Sequence, residues 1–121
     1  MAHLAEAFGC NIAYTSTSGV AREERFPRKE LNELLQWADV VSIHSPLNTK
    51  TAGLIGKAEL ETMKPTAIII NVARGGIIDE AALADALNSD TIAGAALDVF
   101  SSEPLPASPL YDLKDPDSLL A

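Results

Sequence analysis

Short apolar runs constrain the fold of this chain more than any other feature of its sequence. The runs are Asn11–Tyr14, Val40–His44, Ala67–Val72 and Ile92–Val99. Strands that are covered on both faces have continuous apolar runs rather than alternating ones, and such burial is typical of parallel sheets. The sequence therefore predicts a parallel sheet with four strands.

Segments with helical spacing separate these runs. They are Met1–Phe8, Arg28–Trp37, Lys57–Met63 and Asp79–Leu87. In the last of them Leu83 and Leu87 recur on one face, and Asp79 is a candidate N-cap. Alternation of strands and helices predicts an α/β fold with an open, doubly wound parallel sheet. Ser101–Ala121 is rich in proline and has few apolar residues, so it is predicted to be a loop-rich tail.

Composition excludes several classes of partner. The chain has 121 residues, about one domain, and a formal net charge of −8, which opposes binding to nucleic acid. No basic cluster indicates a membrane surface, and no apolar stretch approaches the roughly 20 residues of a transmembrane helix. A single cysteine excludes an internal disulfide. We expect a cytoplasmic protein without nucleic acid, membrane or metal partners.

Three longer motifs carry a family resemblance. They are Met63–Asp79 (MKPTAIIINVARGGIID), Ala38–Pro46 followed by Thr51–Leu54, and Gly94–Phe100 followed by Glu103 and Pro104. In order and spacing they closely resemble the D-isomer-specific 2-hydroxyacid dehydrogenases, from about the first helix to Leu113. The resemblance implies that residues 1–121 are part of a Rossmann-type dinucleotide-binding domain. It also implies that the first strand, its Gly-rich turn and the substrate domain are missing.

Arg74 and Glu103 are the candidate catalytic residues. Arg74 follows the carboxyl end of a predicted strand, where ligands bind in open α/β sheets, and a guanidinium matches a carboxylate with two prongs. The resemblance implies that Arg74 holds a 2-oxo acid and polarises its carbonyl. It implies that Glu103 orients a catalytic histidine, which neither His3 nor His44 matches. The alternatives are a surface arginine and a solvated loop glutamate.

The candidate cofactor contacts also lie at or just past the carboxyl ends of predicted strands. The resemblance implies that Asp98 binds the nicotinamide carboxamide and that the backbone of Val72 and Ala73 lies near the ring, beside Arg74. It places the loop of His44 and Pro46 along the cofactor. A turn cap at Asp98 and a structural histidine at position 44 are the alternatives.

The choice between NAD and NADP depends on the residues after Asn11–Tyr14. NAD-specific folds place a carboxylate there for the ribose 2′-hydroxyl. This chain has Thr15, then Ser16–Ser18, with Arg22 close by. Hydroxyls and an arginine suit a 2′-phosphate, so we predict a relaxed or NADP-leaning preference. The alternative is an ordinary turn rich in serine and threonine.

The resemblance implies an oxidoreductase that transfers a hydride between NAD or NADP and a small D-2-hydroxy acid or 2-oxo acid. The glycerate dehydrogenase and hydroxypyruvate reductase group looks nearest, and a homodimer is common in the family. The isolated chain is expected to be inactive because the catalytic histidine is missing. Three alternatives stay open: a phosphoglycerate, formate or phosphite dehydrogenase, a non-enzymatic dinucleotide sensor or co-repressor, and a bare interaction module.

Overall fold

The fold is built on a parallel sheet. The structure, a computed structural model, describes residues 1–21, 25–103 and 107–121. The strands are β1 (Val40–Ile43), β2 (Ile68–Asn71), β3 (Gly94–Leu97) and β4 (Leu119–Leu120). The helices are α1 (Ala2–Ala7), α2 (Leu31–Trp37), α3 (Lys57–Thr62) and α4 (Glu80–Asn88). Two 3-10 turns cover Pro109–Asp112 and Pro116–Ser118.

The sheet has the order β1-β2-β3-β4, and each neighbouring pair is parallel. Helix α3 lies between β1 and β2 in the chain, and α4 lies between β2 and β3. The predicted α/β class with a parallel sheet is therefore confirmed. Three of the predicted strands are also confirmed, each with shorter bounds than its apolar run.

The prediction of a strand at Asn11–Tyr14 is wrong. This segment forms only one isolated parallel bridge, between Tyr14 and Arg28. The Tyr14 N–H donates to the Pro27 carbonyl at 3.1 Å, and the Lys29 N–H donates to the Tyr14 carbonyl at 2.8 Å. Proline has no N–H to extend a ladder, so the pairing stops after a single bridge.

The fourth strand of the sheet comes instead from the predicted loop-rich tail. Leu119 and Leu120 in β4 pair in parallel with Ala95 and Ala96 of β3. Prolines in this tail also start structure, since each 3-10 turn has proline in its first turn. A fixed φ suits that position, where the missing N–H is not needed. Proline content alone therefore underestimated the order of the tail.

The core lies on one face of the sheet. Val41, Ile69 and Ala95 are register partners, and all three are buried. They belong to one apolar cluster with residues of α2, α3 and α4, such as Leu35, Leu60 and Leu83. The opposite face is more open, because Val40 and Ile68 are 56% and 40% exposed. Strands β1 and β2 thus alternate in burial, whereas their sequence predicted cover on both faces.

Local hydrogen bonds fix the helix that follows β2. The Asp79 carboxylate accepts the Ala82 N–H at 3.1 Å, which confirms the predicted N-cap of α4. A parallel bridge between Ile55 and Ile78 joins the segment before α4 to the segment before α3. The turn between β2 and α4 is therefore held at both of its ends. Within the described parts of the chain, no helix is long and apolar enough to cross a membrane.

Candidate active site

Most of the predicted site residues lie along the carboxyl edge of the sheet. Ile43, Asn71 and Leu97 are register partners at the ends of β1, β2 and β3. The next residues in the chain are His44, Val72 and Asp98. Ala73, Arg74 and Pro46 follow within two or three residues of the strand ends. Because ligands bind outside the carboxyl ends of parallel strands, this edge is the candidate active site.

Asn71 shapes the turn that carries Arg74. Its side chain is buried, with 2% of the residue exposed. The Nδ2 amide donates to the Arg74 carbonyl at 2.9 Å, and Oδ1 accepts the Ala73 N–H at 3.1 Å. The Asn71 carbonyl accepts the Asp98 N–H at 3.0 Å. Asn71 therefore fixes the turn after β2 and joins it to the start of the loop after β3.

Asn71 lies within one of the motifs that carry the family resemblance, but no role was predicted for it. A signal was present, since Asn71 is a polar side chain that interrupts an apolar run at a position where the strand faces inward. A buried amide needs hydrogen-bond partners, and the unpaired backbone groups of a tight turn can provide them.

Arg74 is exposed, and its guanidinium lies against the backbone of the turn that carries it. Nη1 donates to the Ala73 carbonyl at 2.7 Å. Among residues 1–21, 25–103 and 107–121, no carboxylate forms an ion pair with it. A guanidinium is always charged and has five N–H donors, so most of its donors remain available to an anion.

The loop after β3 (98–103, here the Asp98 loop) touches the turn that carries Arg74. A Cβ placed on Gly75 would lie 1.7 Å from the Phe100 carbonyl oxygen and 2.7 Å from the Ser101 nitrogen. Only glycine permits backbones to approach so closely. Within the Asp98 loop, the Glu103 Oε1 accepts the Phe100 N–H at 3.0 Å. Arg74, Asp98 and Glu103 are therefore carried by two loops in direct contact.

A shallow recess opens beside Asp98. It has a volume of about 240 Å³ and is lined by Val72, Ala96, Leu97, Asp98, Leu120 and Ala121. Its walls are mainly apolar, and the Asp98 side-chain carboxylate lies among them. Such a lining fits a flat ring that carries an amide, because the ring packs on apolar walls and the amide N–H groups donate to the carboxylate. The sequence analysis did not predict the contribution of β4 to this wall.

The loop after β1 depends on Thr51, which is completely buried. The Thr51 hydroxyl donates to the Pro46 carbonyl at 2.6 Å and accepts the Asn48 N–H at 2.8 Å. At the start of this loop the His44 Nε2 lies 2.9 Å from the Ser42 hydroxyl oxygen. His44 and Pro46 are both exposed, so a ligand on this edge could reach them.

Thr15 lies in a second recess, away from Asp98. This recess measures about 170 Å³ and is lined by Thr15, Ser16, Thr17, Glu30, Leu31, Lys50 and Leu54. Three hydroxyl-bearing residues and one lysine suit a phosphate, whereas the Glu30 carboxylate opposes it. Arg22, which the sequence analysis associated with this region, lies outside the described residues.

Comparison with known proteins identifies the class to which this arrangement belongs. Residues 1–117 match the model of the NAD-binding domain of D-isomer-specific 2-hydroxyacid dehydrogenases. The parallel sheet and the residues along its carboxyl edge are consistent with a dinucleotide-binding domain. The chain belongs to the D-isomer-specific 2-hydroxyacid dehydrogenase family, and the family prediction made from its motifs is confirmed.

Individual relatives have several activities. Glyoxylate reductase of Aeropyrum pernix is 44% identical over 119 residues, which are 95% of this chain and 36% of that protein. D-3-phosphoglycerate dehydrogenase of Mycobacterium bovis is 52% identical over 83 residues, which are 69% of this chain and 16% of that protein. The chain thus spans about a third or less of the length of these relatives.

A solved structure extends the similarity to the backbone. An NADPH-dependent glyoxylate/hydroxypyruvate reductase from Sinorhizobium meliloti, solved with NADP and malonate, superposes with a TM-score of 0.85 at 36% identity. The match covers 98% of this chain and 37% of that protein. The prediction of NAD or NADP as the cofactor is therefore confirmed at the level of the family.

Proposed function

We propose that this chain is part of the NAD(P)-binding domain of a dehydrogenase that interconverts D-2-hydroxy acids and 2-oxo acids of the glycerate and hydroxypyruvate type. One observation carries the proposal: Arg74 and Asp98 follow neighbouring parallel strands, on two loops that touch each other. The residue proposed to bind the substrate and the residue proposed to bind the cofactor thus lie on adjacent loops. The relatives that reduce glyoxylate or hydroxypyruvate support this substrate class.

The recess beside Asp98 is the proposed nicotinamide site. Val72 and the apolar residues of β3 and β4 would pack against the ring, and the Asp98 carboxylate would accept the carboxamide N–H groups. The backbone of Val72 and Ala73 would lie along the edge of the ring. When bound, the cofactor would donate or accept the hydride of the reaction. The protein's part is to orient the ring and to keep one face open toward Arg74.

Arg74 would bind the substrate carboxylate and polarise the carbonyl that is reduced. The guanidinium forms a two-pronged contact with a carboxylate, which fixes both the distance and the orientation of the acid. Glu103 would act on a histidine that lies outside this chain. A carboxylate beside an imidazole favours its protonated form, so the histidine could donate a proton to the developing alkoxide and take it back in the reverse direction.

The test uses the full-length protein that carries this chain, with glyoxylate, hydroxypyruvate and pyruvate as substrates. We expect turnover that consumes NADPH or NADH, and we expect Arg74→Lys to lower kcat/KM by roughly 30-fold or more, because an ammonium cannot make the two-pronged contact. Lys64→Ala is the control. Lys64 pairs with Asp39 at 2.8 Å, near the amino ends of β1 and β2, so its loss should leave kcat/KM unchanged.

Three outcomes bear on the proposal. Absence of turnover with every acid, combined with tight dinucleotide binding, would favour a non-enzymatic sensor or co-repressor. Equal kinetics for Arg74→Lys and the unmodified protein would overturn the role of Arg74. Turnover by the isolated 121-residue chain would show that no residue outside it is needed. We expect that chain to be inactive, since neither His3 nor His44 matches the family's catalytic histidine.

We also propose that the enzyme prefers NADP or accepts both cofactors. Thr15, Ser16 and Thr17 line a recess with Lys50, and together they offer hydroxyls and a cation to a 2′-phosphate. The ratio of kcat/KM for NADPH to that for NADH measures the preference, and strict selectivity for NADH would contradict it. A homodimer in the cytoplasm completes the proposal, and size-exclusion chromatography with light scattering of the full-length protein tests the dimer.

A further inference from the structure

A glutamate outside the candidate active site forms a hydrogen bond with the backbone of the Asp98 loop. The Glu80 Oε1 accepts the Ser101 N–H at 2.7 Å, across 21 residues of sequence. Glu80 is the first residue of α4, and Ser101 lies in the middle of the Asp98 loop. We propose that Glu80 is a positioning residue that sets the Asp98 loop, and with it Asp98 and Glu103, relative to Arg74. This inference rests on the proposed function.

The other hydrogen bonds of the Asp98 loop do not define its position at Ser101. The bond from the Asp98 N–H to the Asn71 carbonyl attaches only the first residue of the loop to β2. The bond from the Phe100 N–H to Glu103 lies within the loop, so it sets the shape of the loop rather than its location. The bond to Glu80 connects the loop to a different element, whose start is itself fixed by the Asp79 cap.

The position at Ser101 matters because the turn of Arg74 packs against the same backbone. The Phe100 carbonyl and the Ser101 nitrogen are the atoms that a Cβ on Gly75 would strike. Glu80 therefore holds the Asp98 loop where it contacts the residue after Arg74. If the loop moved away from α4, the spacing between the guanidinium of Arg74 and the carboxylates of Asp98 and Glu103 would change with it.

The chemistry of Glu80 suits support rather than reaction. It is half-buried, whereas Arg74, Asp98 and Glu103 are all exposed. A carboxylate in the first turn of a helix is stabilised by the helix dipole, and an ionised acceptor makes a stronger hydrogen bond than a neutral one. A glutamine at this position keeps an oxygen acceptor at the same reach, while an alanine removes it. The two substitutions therefore separate the hydrogen bond from the charge.

The experiment compares Glu80→Ala, Glu80→Gln and Glu61→Ala in the full-length protein. Glu61 is an exposed glutamate of α3 that contacts Lys57 at 3.8 Å, so Glu61→Ala is the matched control. For Glu80→Ala we expect kcat/KM to fall roughly 10- to 100-fold, because small displacements of catalytic groups have effects of this size. NADPH affinity, measured by fluorescence, should weaken as well. The kcat/KM of Glu80→Gln should stay within about 3-fold of that of the unmodified protein. This variant keeps the hydrogen bond, and a neutral acceptor weakens that bond only a few-fold.

A pH profile of kcat/KM distinguishes positioning from mere stability. In the proposed site Glu103 would raise the pKa of the catalytic imidazole, so a displaced loop should move the apparent pKa down toward about 6.5. We expect this movement in Glu80→Ala and not in Glu80→Gln or Glu61→Ala. A variant that is only less stable would have a lower melting temperature and an unchanged profile.

The possible outcomes test the positioning role of Glu80 and the proposed function separately. Unchanged kinetics, profile and NADPH affinity in Glu80→Ala would overturn the positioning role, as would equal impairment of Glu80→Gln. If the unmodified protein binds NADPH but turns over no 2-oxo acid, the proposed function fails. The NADPH affinity of Glu80→Ala would then still test the positioning role of Glu80, because Asp98 is on the loop that Glu80 holds. Absence of any dinucleotide binding by the unmodified protein would overturn both.

Discussion

Replacing Asn71 with aspartate removes one hydrogen bond from the candidate active site with almost no change in shape. The Nδ2 group that donates to the Arg74 carbonyl at 2.9 Å becomes an oxygen. The other bond, from the Ala73 N–H to Oδ1, is kept. Two oxygens without a hydrogen between them would then face each other at a site where only 2% of the residue is exposed.

The expected cost has two parts. Loss of a buried hydrogen bond that leaves the Arg74 carbonyl without its partner costs about 1–3 kcal/mol. Burial of a carboxylate against a carbonyl oxygen adds an unfavourable charge term, which one kept bond to Ala73 offsets only in part. We therefore expect Asn71→Asp to lower the free energy of unfolding by about 2–4 kcal/mol at neutral pH. That is a large fraction of the stability of a typical domain.

The loss of stability in Asn71→Asp should also depend on pH in a definite direction. Burial and the facing carbonyl raise the pKa of the new carboxyl above its ordinary value of about 3.9. In the protonated form its O–H can donate to the Arg74 carbonyl and replace the lost bond. The penalty should therefore be small below about pH 4 and should grow as the pH rises through the folded-state pKa.

Urea denaturation of the full-length protein, followed by far-UV circular dichroism at neutral and mildly acidic pH, measures this effect. Asn48→Asp is the matched control, because the exposed Asn48 side chain uses only its oxygen, which accepts the Lys50 N–H at 2.9 Å. That control should change stability by less than about 0.5 kcal/mol. Equal stability of the two variants at neutral pH, or a penalty in Asn71→Asp that does not vary with pH, would refute the hydrogen-bond assignment.

Two further substitutions test contacts that hold the loops of the site. Gly75→Ala should lower the free energy of unfolding by about 3 kcal/mol or more and weaken NADPH binding, because its Cβ would meet Phe100 backbone atoms that no side-chain rotation can move. In Gly56→Ala the nearest atom is a flexible side-chain oxygen at 3.4 Å, so loss of the N-cap glycine should cost only about 1 kcal/mol in the same melts. Thr51→Val should cost about 1–3 kcal/mol, since it removes a buried hydroxyl with two partners. Thr62→Val, at a half-buried helical position where the hydrogen bond of the hydroxyl is exposed to solvent, should cost under about 0.5 kcal/mol. A cost that does not differ between the two threonine variants would contradict the role of the buried hydroxyl.

The sequence predicted the parallel sheet because three of its strands are continuous apolar runs with helices between them. It failed at Asn11–Tyr14 because the length and polarity of a run do not reveal whether a partner with free N–H groups lies beside it. It missed β4 because two leucines are too short for a periodic signal. Their order comes from the neighbouring β3, which is a tertiary effect.

The candidate site, like the fold, could be predicted from the sequence only in part. Arg74, Asp98, His44 and Val72 could be placed on one edge from sequence, because each lies at or just past the carboxyl end of an apolar run and parallel strands end together. The contact between Gly75 and Phe100 could not be predicted, because it joins two loops whose conformations depend on each other. Local patterns identify strand ends, but they do not specify how the loops that follow pack together.

The exposed side chains that would meet ligands and the side chains that hold the loops are different residues in this domain. Arg74 and Asp98 are exposed, and the Arg74 guanidinium donates to the Ala73 carbonyl of its own turn. Asn71 and Thr51 are buried, and their side chains make two and three hydrogen bonds, respectively, to loop backbone. Buried polar groups of this kind are costly unless fully paired, so the loop geometry that satisfies them is strongly preferred over alternatives. An exposed guanidinium has no such preference and can take the orientation that an anion requires. The loops of the site are therefore held by buried hydrogen bonds, while the cation is exposed and can turn toward an anion. Changes at Asn71 or Thr51 should affect stability and ligand binding together. A change at Arg74 should affect ligand binding with little effect on stability.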